Sequence, residues 1–229
     1  MFKVERDPVL ALMKFGAAEH MAELLRHGHL YMHPIPFFKV LESDVARGDQ
    51  HEGLSHCWQA DSARLEVRQG DEWLNVGGIV GQLLFWDQRV EVGNIYCMYA
   101  LRGSHAEAFF DGHCARLVDV DSLPFGDSVV VFTNGDEFMR RVRAAAELEG
   151  LELSYNLVEY VDRETYSGSM GPFRKFSTFS QQSEFRILAK PELLPARILR
   201  VGPLADIAMV CSCAELNGRL RLQQAAEPA

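Results

Sequence analysis

The sequence contains no apolar run approaching the ~18 residues that a membrane-crossing helix needs. Its opening residues, Met1-Phe2-Lys3-Val4-Glu5-Arg6-Asp7, lack the apolar stretch of a secretory signal, so the expected location is the cytosol and no membrane partner is expected. Cysteine is sparse. Five cysteines, an odd number without framework spacing, are read as reduced thiols and exclude a disulfide scaffold. Positive charge is short as well: 23 Lys and Arg face 32 Asp and Glu, a net charge of −9. That balance excludes a surface devoted to gripping nucleic acid in bulk, though it leaves room for a local basic groove. Also missing are Gly-x-x-x-x-Gly-Lys-Ser/Thr, Gly-x-Gly-x-x-Gly, Gly-x-Ser-x-Gly and His-Glu-x-x-His. Gly77-Gly78-Ile79-Val80-Gly81 lacks the Lys-Ser/Thr that completes a phosphate loop and reads as a structural turn.

What remains is a chain of 229 residues, 48% hydrophobic and 24% charged, which is ordinary for a folded globular protein. Residues 17–27 read as a helix: Met21, Leu24 and Leu25 form an apolar stripe, and Gly28 follows as a left-handed terminator. Residues 29–33 alternate as a strand closed by Pro34 and Pro36, before a turn or short helix at 37–41. A hairpin is expected over 64–76 around Gly70-Asp71. Strands are expected at 94–101, 128–132, 152–161, 183–189, 196–201 and 207–211, with a helix over 137–149 capped by Thr133 or Asn134 and ended by Gly150. About eight strands and two to four helices, without βαβ alternation, predict an α+β fold. The expected architecture is one domain over 1–222, with a mostly antiparallel, twisted sheet and a few flanking helices, and a flexible tail at 223–229.

Three groups of residues carry candidate chemistry. The densest polar cluster is Arg47-Gly48-Asp49-Gln50-His51-Glu52-Gly53, which suits either ligand contact or a salt-bridged loop fastener. His29 and His33 share one face of their strand with Tyr31 between them, suiting a cleft for an anion or a ribose. The third group is Lys175 to Leu188. Gln182 and Glu184 stand two apart at the start of a strand, so both point to one face with Arg186 next along it. A fixed carboxylate beside an amide and a guanidinium accepts a sugar hydroxyl and stabilises positive charge at an anomeric carbon. Cys211-x-Cys213, His56-Cys57 and His113-Cys114 lack the knuckle spacing of a structural zinc, and no metal is predicted.

Two resemblances follow from these residues. Met13-Lys14-Phe15, Gly28-His29-Leu30-Tyr31-Met32, Phe38 and the Gly48-Asp49 to Glu52 stretch resemble the first half of a poorly characterised group of bacterial cytosolic proteins of unknown function. Lys175-Phe176 and Gln182-Ser183-Glu184-Phe185-Arg186 resemble that group's second half. Met13 stands where the group has an aromatic, and Arg-Gly-Asp where it has Asn-Asp-Pro. The second resemblance is to ADP-ribosyltransferases, among them toxins and anti-phage effectors, through an early basic residue and a late Gln/Glu-x-Glu. It implies Glu184 as the catalytic carboxylate, Gln182 as the substrate-orienting residue, and Lys14 or His33 as NAD contacts, with Arg47 and Arg186 as further cofactor-binding candidates.

Two expectations from different classes result. The first is an NAD-using enzyme that transfers ADP-ribose to a macromolecular acceptor, as a toxin or phage-defence effector. The second is a non-catalytic binding or regulatory module in which Arg47, Asp49, Glu52, Glu184 and Arg186 form an ionic network. A metal-dependent nuclease built on Asp49 and Glu52 is a third reading. A second copy of the chain or a neutralising partner is the expected associate, with Phe109-Phe110, residues 83–86 and Met98 as surface candidates, although core burial suits each of these better.

Overall fold

In the computed structural model, which describes residues 7–39, 48–87, 92–123 and 125–223, strands and helices follow one another as follows. The chain begins with β1 (Val9–Gly16), α1 (Ala18–His27), β2 (His29–Pro34) and α2 (Ile35–Lys39). Short strands β3 (His56–Trp58), β4 (Glu66–Gln69), β5 (Glu72–Asn75) and β6 (Leu83–Phe85) come next. The middle holds β7 (Asn94–Arg102), α3 (Gly103–Phe110), β8 (Ser128–Phe132) and α4 (Gly135–Leu148). Then come β9 (Glu152–Leu157), β10 (Glu159–Val161), β11 (Gly168–Ser169), β12 (Arg174–Phe176) and β13 (Glu184–Lys190). The chain closes with β14 (Arg197–Arg200), β15 (Ala208–Ser212) and α5 (Cys213–Arg219). The fold is α+β, and its sheets are antiparallel apart from the parallel β10–β12 pair.

The main sheet runs β14-β2-β7-β1-β8-β15, with β13 on the other edge of β7 and β9 beyond it. Its central strands are buried on both faces, so they read as continuous apolar runs. Leu12 of β1 packs with Met21 and Leu24 of α1 and Phe138 and Val142 of α4 on one face. Met13 and Phe15 pack with Val129, Cys211 and Leu216 of α5 on the other. Gly28 adopts φ 62° after α1, and the Asn134 side chain accepts a hydrogen bond from the Glu137 N–H at 3.0 Å at the start of α4. Both helix boundaries thus follow from their capping residues.

Several expectations need correction. Residues 152–161 are not one strand: the ladder of β9 with β13 ends at Leu157, and β10 turns away to pair with β12. Gln182 is not on a strand; it ends a 3₁₀ turn over Ser177–Gln182, and Ser183, at φ 39°, separates it from β13. Cys211 is buried in β15, whereas Cys213 opens α5. The strands outnumber the expected eight, since ladders as short as β3, β6 and β10 to β12 carry no periodic signature. The short helix begins two residues before the expected position, at Ile35; Leu41, Arg47 and most of the expected tail lie outside the described residues.

The feature that positions the site is a fork in the sheet. β1 pairs with residues 99–102 of β7 through Met13↔Tyr99 and Leu12↔Ala100, and β2 pairs further along through His33↔Ile95 and Pro34↔Asn94. Tyr99 also faces Glu184 and Ile95 faces Leu188 across the opposite edge, so β1 and β2 share one edge of β7. Residues 96–98 fall between the two ladders. Lys14 fills part of this gap, its Nζ donating to the Cys97 carbonyl at 2.6 Å and lying 4.5 Å from the Tyr96 ring centre.

Candidate functional site

A cavity of about 690 Å³ opens at the fork, a volume ordinary for a small-molecule site. Lys14, His33, Gln182, Glu184 and Arg186 all line it, so the structure brings together the described residues that the second resemblance implies. Arg47 lies outside the described residues.

The polar wall rests on four buried ionic side chains. Arg186, only 1% exposed, grips Glu52 with two parallel bonds, Nη1–Oε1 and Nη2–Oε2, each 2.8 Å. Its Nε donates to Glu184 Oε2 at 2.7 Å and its Nη1 also to the Pro172 carbonyl at 2.6 Å. Lys175 of β12 donates to Glu184 Oε1 at 2.6 Å and to Gln182 Oε1 at 2.9 Å. Two carboxylates and two cations thus alternate, and their formal charges cancel. The shared lysine, not a strand register, makes Gln182 and Glu184 neighbours.

Electrostatics fix the protonation states. Burial alone would raise the Glu184 carboxyl, but Arg186 and Lys175 outweigh it and hold the group far below the usual carboxylate range. Burial likewise opposes the charges on Lys175 and Arg186, yet Glu184 and Glu52 keep both above their ordinary values. Glu184 is therefore a fixed carboxylate and not a proton donor. Burial, followed by the charge of Glu184, pushes the Cys97 thiol up to about 12, which favours the protonated thiol. The Tyr160 hydroxyl accepts the Glu184 backbone N–H at 2.9 Å and is also held neutral, chiefly by burial.

The described part of the polar loop, residues 48–53, is tied down by its own hydrogen bonds and sends Glu52 to the cavity wall. Asp49 N–H donates to the Phe38 carbonyl at 3.2 Å, Asp49 Oδ1 accepts from the His51 N–H at 2.8 Å, and the Asp49 carbonyl accepts from the Glu52 N–H at 2.9 Å. This sequence of bonds aims Glu52 inward at Arg186. Burial, then the neighbouring Glu52, raises the Asp49 carboxyl, while burial lowers His51. Among the described residues no three His, Cys, Asp or Glu side chains are placed to hold a metal ion.

The other wall is aromatic. His33 stacks on Phe37 with ring centres 3.8 Å apart and planes 9° from parallel; Phe38 meets both edge-on, and Tyr31 lies 5.4 Å from His33. All four rings line the cavity. The sequence names Tyr31 and His33 as a candidate cleft and places Lys175 in the third candidate group; Phe37 and Tyr160 are the members of the site it leaves unassigned. Comparison of the chain with family models, curated proteins and solved structures gave no match. No helix among the described residues is long and apolar enough to cross a membrane.

Proposed function

We propose that the fork cavity binds a small molecule with a planar ring at one end and hydroxyl groups at the other, a nucleoside-type ligand of the NAD class, and that the protein acts as a binding or sensing module. The observation that carries this reading is the engagement of both Glu184 oxygens, by Lys175 and Arg186, on the wall of the cavity. A carboxylate so paired within a charge-neutral group is a poor source of stabilisation for a developing cation, but a rigid acceptor for a ligand hydroxyl. The rings of Tyr31, His33 and Phe37 suit a stacked base, a contact worth about 1–3 kcal/mol.

A second reading, ADP-ribosyl transfer to a macromolecular acceptor, draws on Glu184 being held ionised at the cavity wall with Gln182 alongside it. Under it, Glu184 accepts the ribose hydroxyl, Gln182 orients the substrate, and Lys14, His33 and Arg186 border the cofactor, as a toxin or phage-defence enzyme would require. One set of measurements addresses both readings. The wild-type melting temperature is expected to rise with NAD and with ADP-ribose, and Phe37→Ala is expected to blunt the rise. No shift with either ligand would remove the nucleoside proposal. Nicotinamide released from NAD by wild type, and lost in Gln182→Ala at unchanged stability, would replace the binding reading with the enzymatic one.

A further inference from the structure

Away from the fork, β4 and β5 form a hairpin whose eight strand residues are all exposed. Trp73 of β5 is itself 63% exposed. One hairpin face carries Leu65, Val67, Leu74 and Val76, from 42% to 56% exposed, as two cross-strand pairs. A two-stranded hairpin with an uncovered apolar face is marginal in water, and further strands are what stabilise it. The strand β4 also lacks the Lys or Pro that commonly blunts an edge.

We infer that β4 is a self-association edge, pairing antiparallel with β4 of a second copy around a twofold axis at Val67. Backbone direction sets the allowed registers. The Val76 N–H donates to the Leu65 carbonyl at 2.8 Å, so residues 65, 67 and 69 turn their polar groups toward β5. Glu66 and Arg68 turn theirs outward. Centring the pair on Val67 sets the outward groups of Glu66 against those of Arg68 in the second copy, and the reverse, so hydrogen bonds and opposite charges coincide twice. The neighbouring registers with matched hydrogen bonds put Glu66 against Glu66, or Arg68 against Arg68, and are repelled. Arg68 is engaged within its own turn, its Nε donating to the Gly70 carbonyl at 3.1 Å and its Nη2 lying 3.6 Å from the fully exposed Asp71, and both contacts are open to solvent and readily exchanged. The resulting four-stranded sheet, β5-β4-β4-β5, joins the two apolar faces into one.

Sedimentation equilibrium of the full chain tests the pairing. Wild type is expected to dimerise reversibly. Arg68→Glu sets like charges opposite each other at both crossings and is expected to weaken association about tenfold or more. The exchange Glu66→Arg with Arg68→Glu restores opposite charges in the same register and is expected to recover the wild-type constant. Unchanged far-ultraviolet dichroism would show that the variants remain folded. A wild type that stays monomeric at high concentration, an Arg68→Glu variant that dimerises as well as wild type, or an exchange that fails to rescue would each overturn the assignment.

Discussion

Two four-membered ionic groups in this molecule have the same composition, two acids and two cations, and opposite settings. In the fork, Glu52, Arg186, Glu184 and Lys175 are each less than 9% exposed. Along α4, Arg140 and Arg141 share Glu137, through bonds of 2.6 and 2.8 Å, and Arg141 also reaches Asp206 at the surface. Bond lengths barely differ between the two. What differs is the alternative open to each charge when its partner is removed. At α4 the released group meets water. In the fork it is left in a low-dielectric interior, so each member depends on all the others. Pairing geometry alone therefore says little about energetic weight.

The strongest way to break the buried group is to remove its hub. Arg186→Met leaves Glu52 and Glu184 facing each other with Lys175 as their remaining cation, and is expected to cost about 3–5 kcal/mol. Denaturant unfolding reads this directly, and a loss below about 1 kcal/mol would mean that water or rearrangement compensates. Glu184→Gln is milder, because Arg186 keeps its two bonds to Glu52. Removing one charged acceptor there is expected to cost about 2 kcal/mol.

Acidity sharpens the comparison further. Glu184 and Glu137 are both held below the ordinary 4.5 of a glutamate: Glu184 against burial, by Arg186 and Lys175, and Glu137 by its bonds to Arg140 and Arg141, down to about 2. For both, the unfolded chain takes up a proton first as pH falls below about 4.5, so their stabilisation is complete above that value and lost toward the folded-state value. Salt separates them, because it screens the surface pair and hardly touches the buried one. Acid titration of stability should flatten in Glu184→Gln at low and high salt alike. In Glu137→Gln it should flatten at low salt alone.

The same contrast shows what a sequence displays and what it conceals. The α4 pairs are visible in it, because Glu137, Arg140 and Arg141 stand three and four residues apart on one helix face. The helices at 18–27 and 135–148, their caps, and the hairpin around Gly70-Asp71 are legible for a similar reason: each is written within a few consecutive residues. The fork group is not. Glu52 and Arg186 meet across 134 positions, through a loop that no local period describes. Gln182 and Glu184 are drawn together by Lys175, although alternation along a strand suggested their nearness. β1 escaped notice because burial on both faces erases alternation. A candidate site can thus be named residue by residue while the bonds that join its members, through Lys175 and across to Phe37, stay unread.

The smallest effect is expected where the contacts look most numerous. Arg141 bonds Glu137, Asp206 and the Pro203 carbonyl, tying α4 to the turn before β15. Arg141→Ala removes three partners at once, yet every released group reaches solvent, and Glu137 retains both bonds to Arg140. The melting temperature is therefore expected to move by no more than a few degrees at low salt and to converge on the wild-type value as salt is added. Local hydrogen exchange at residues 203–207 should quicken without any change in the protection of β7 or β13. A loss as large and as salt-independent as that of Arg186→Met would show that this surface group behaves as a buried one, and would end the distinction between the two.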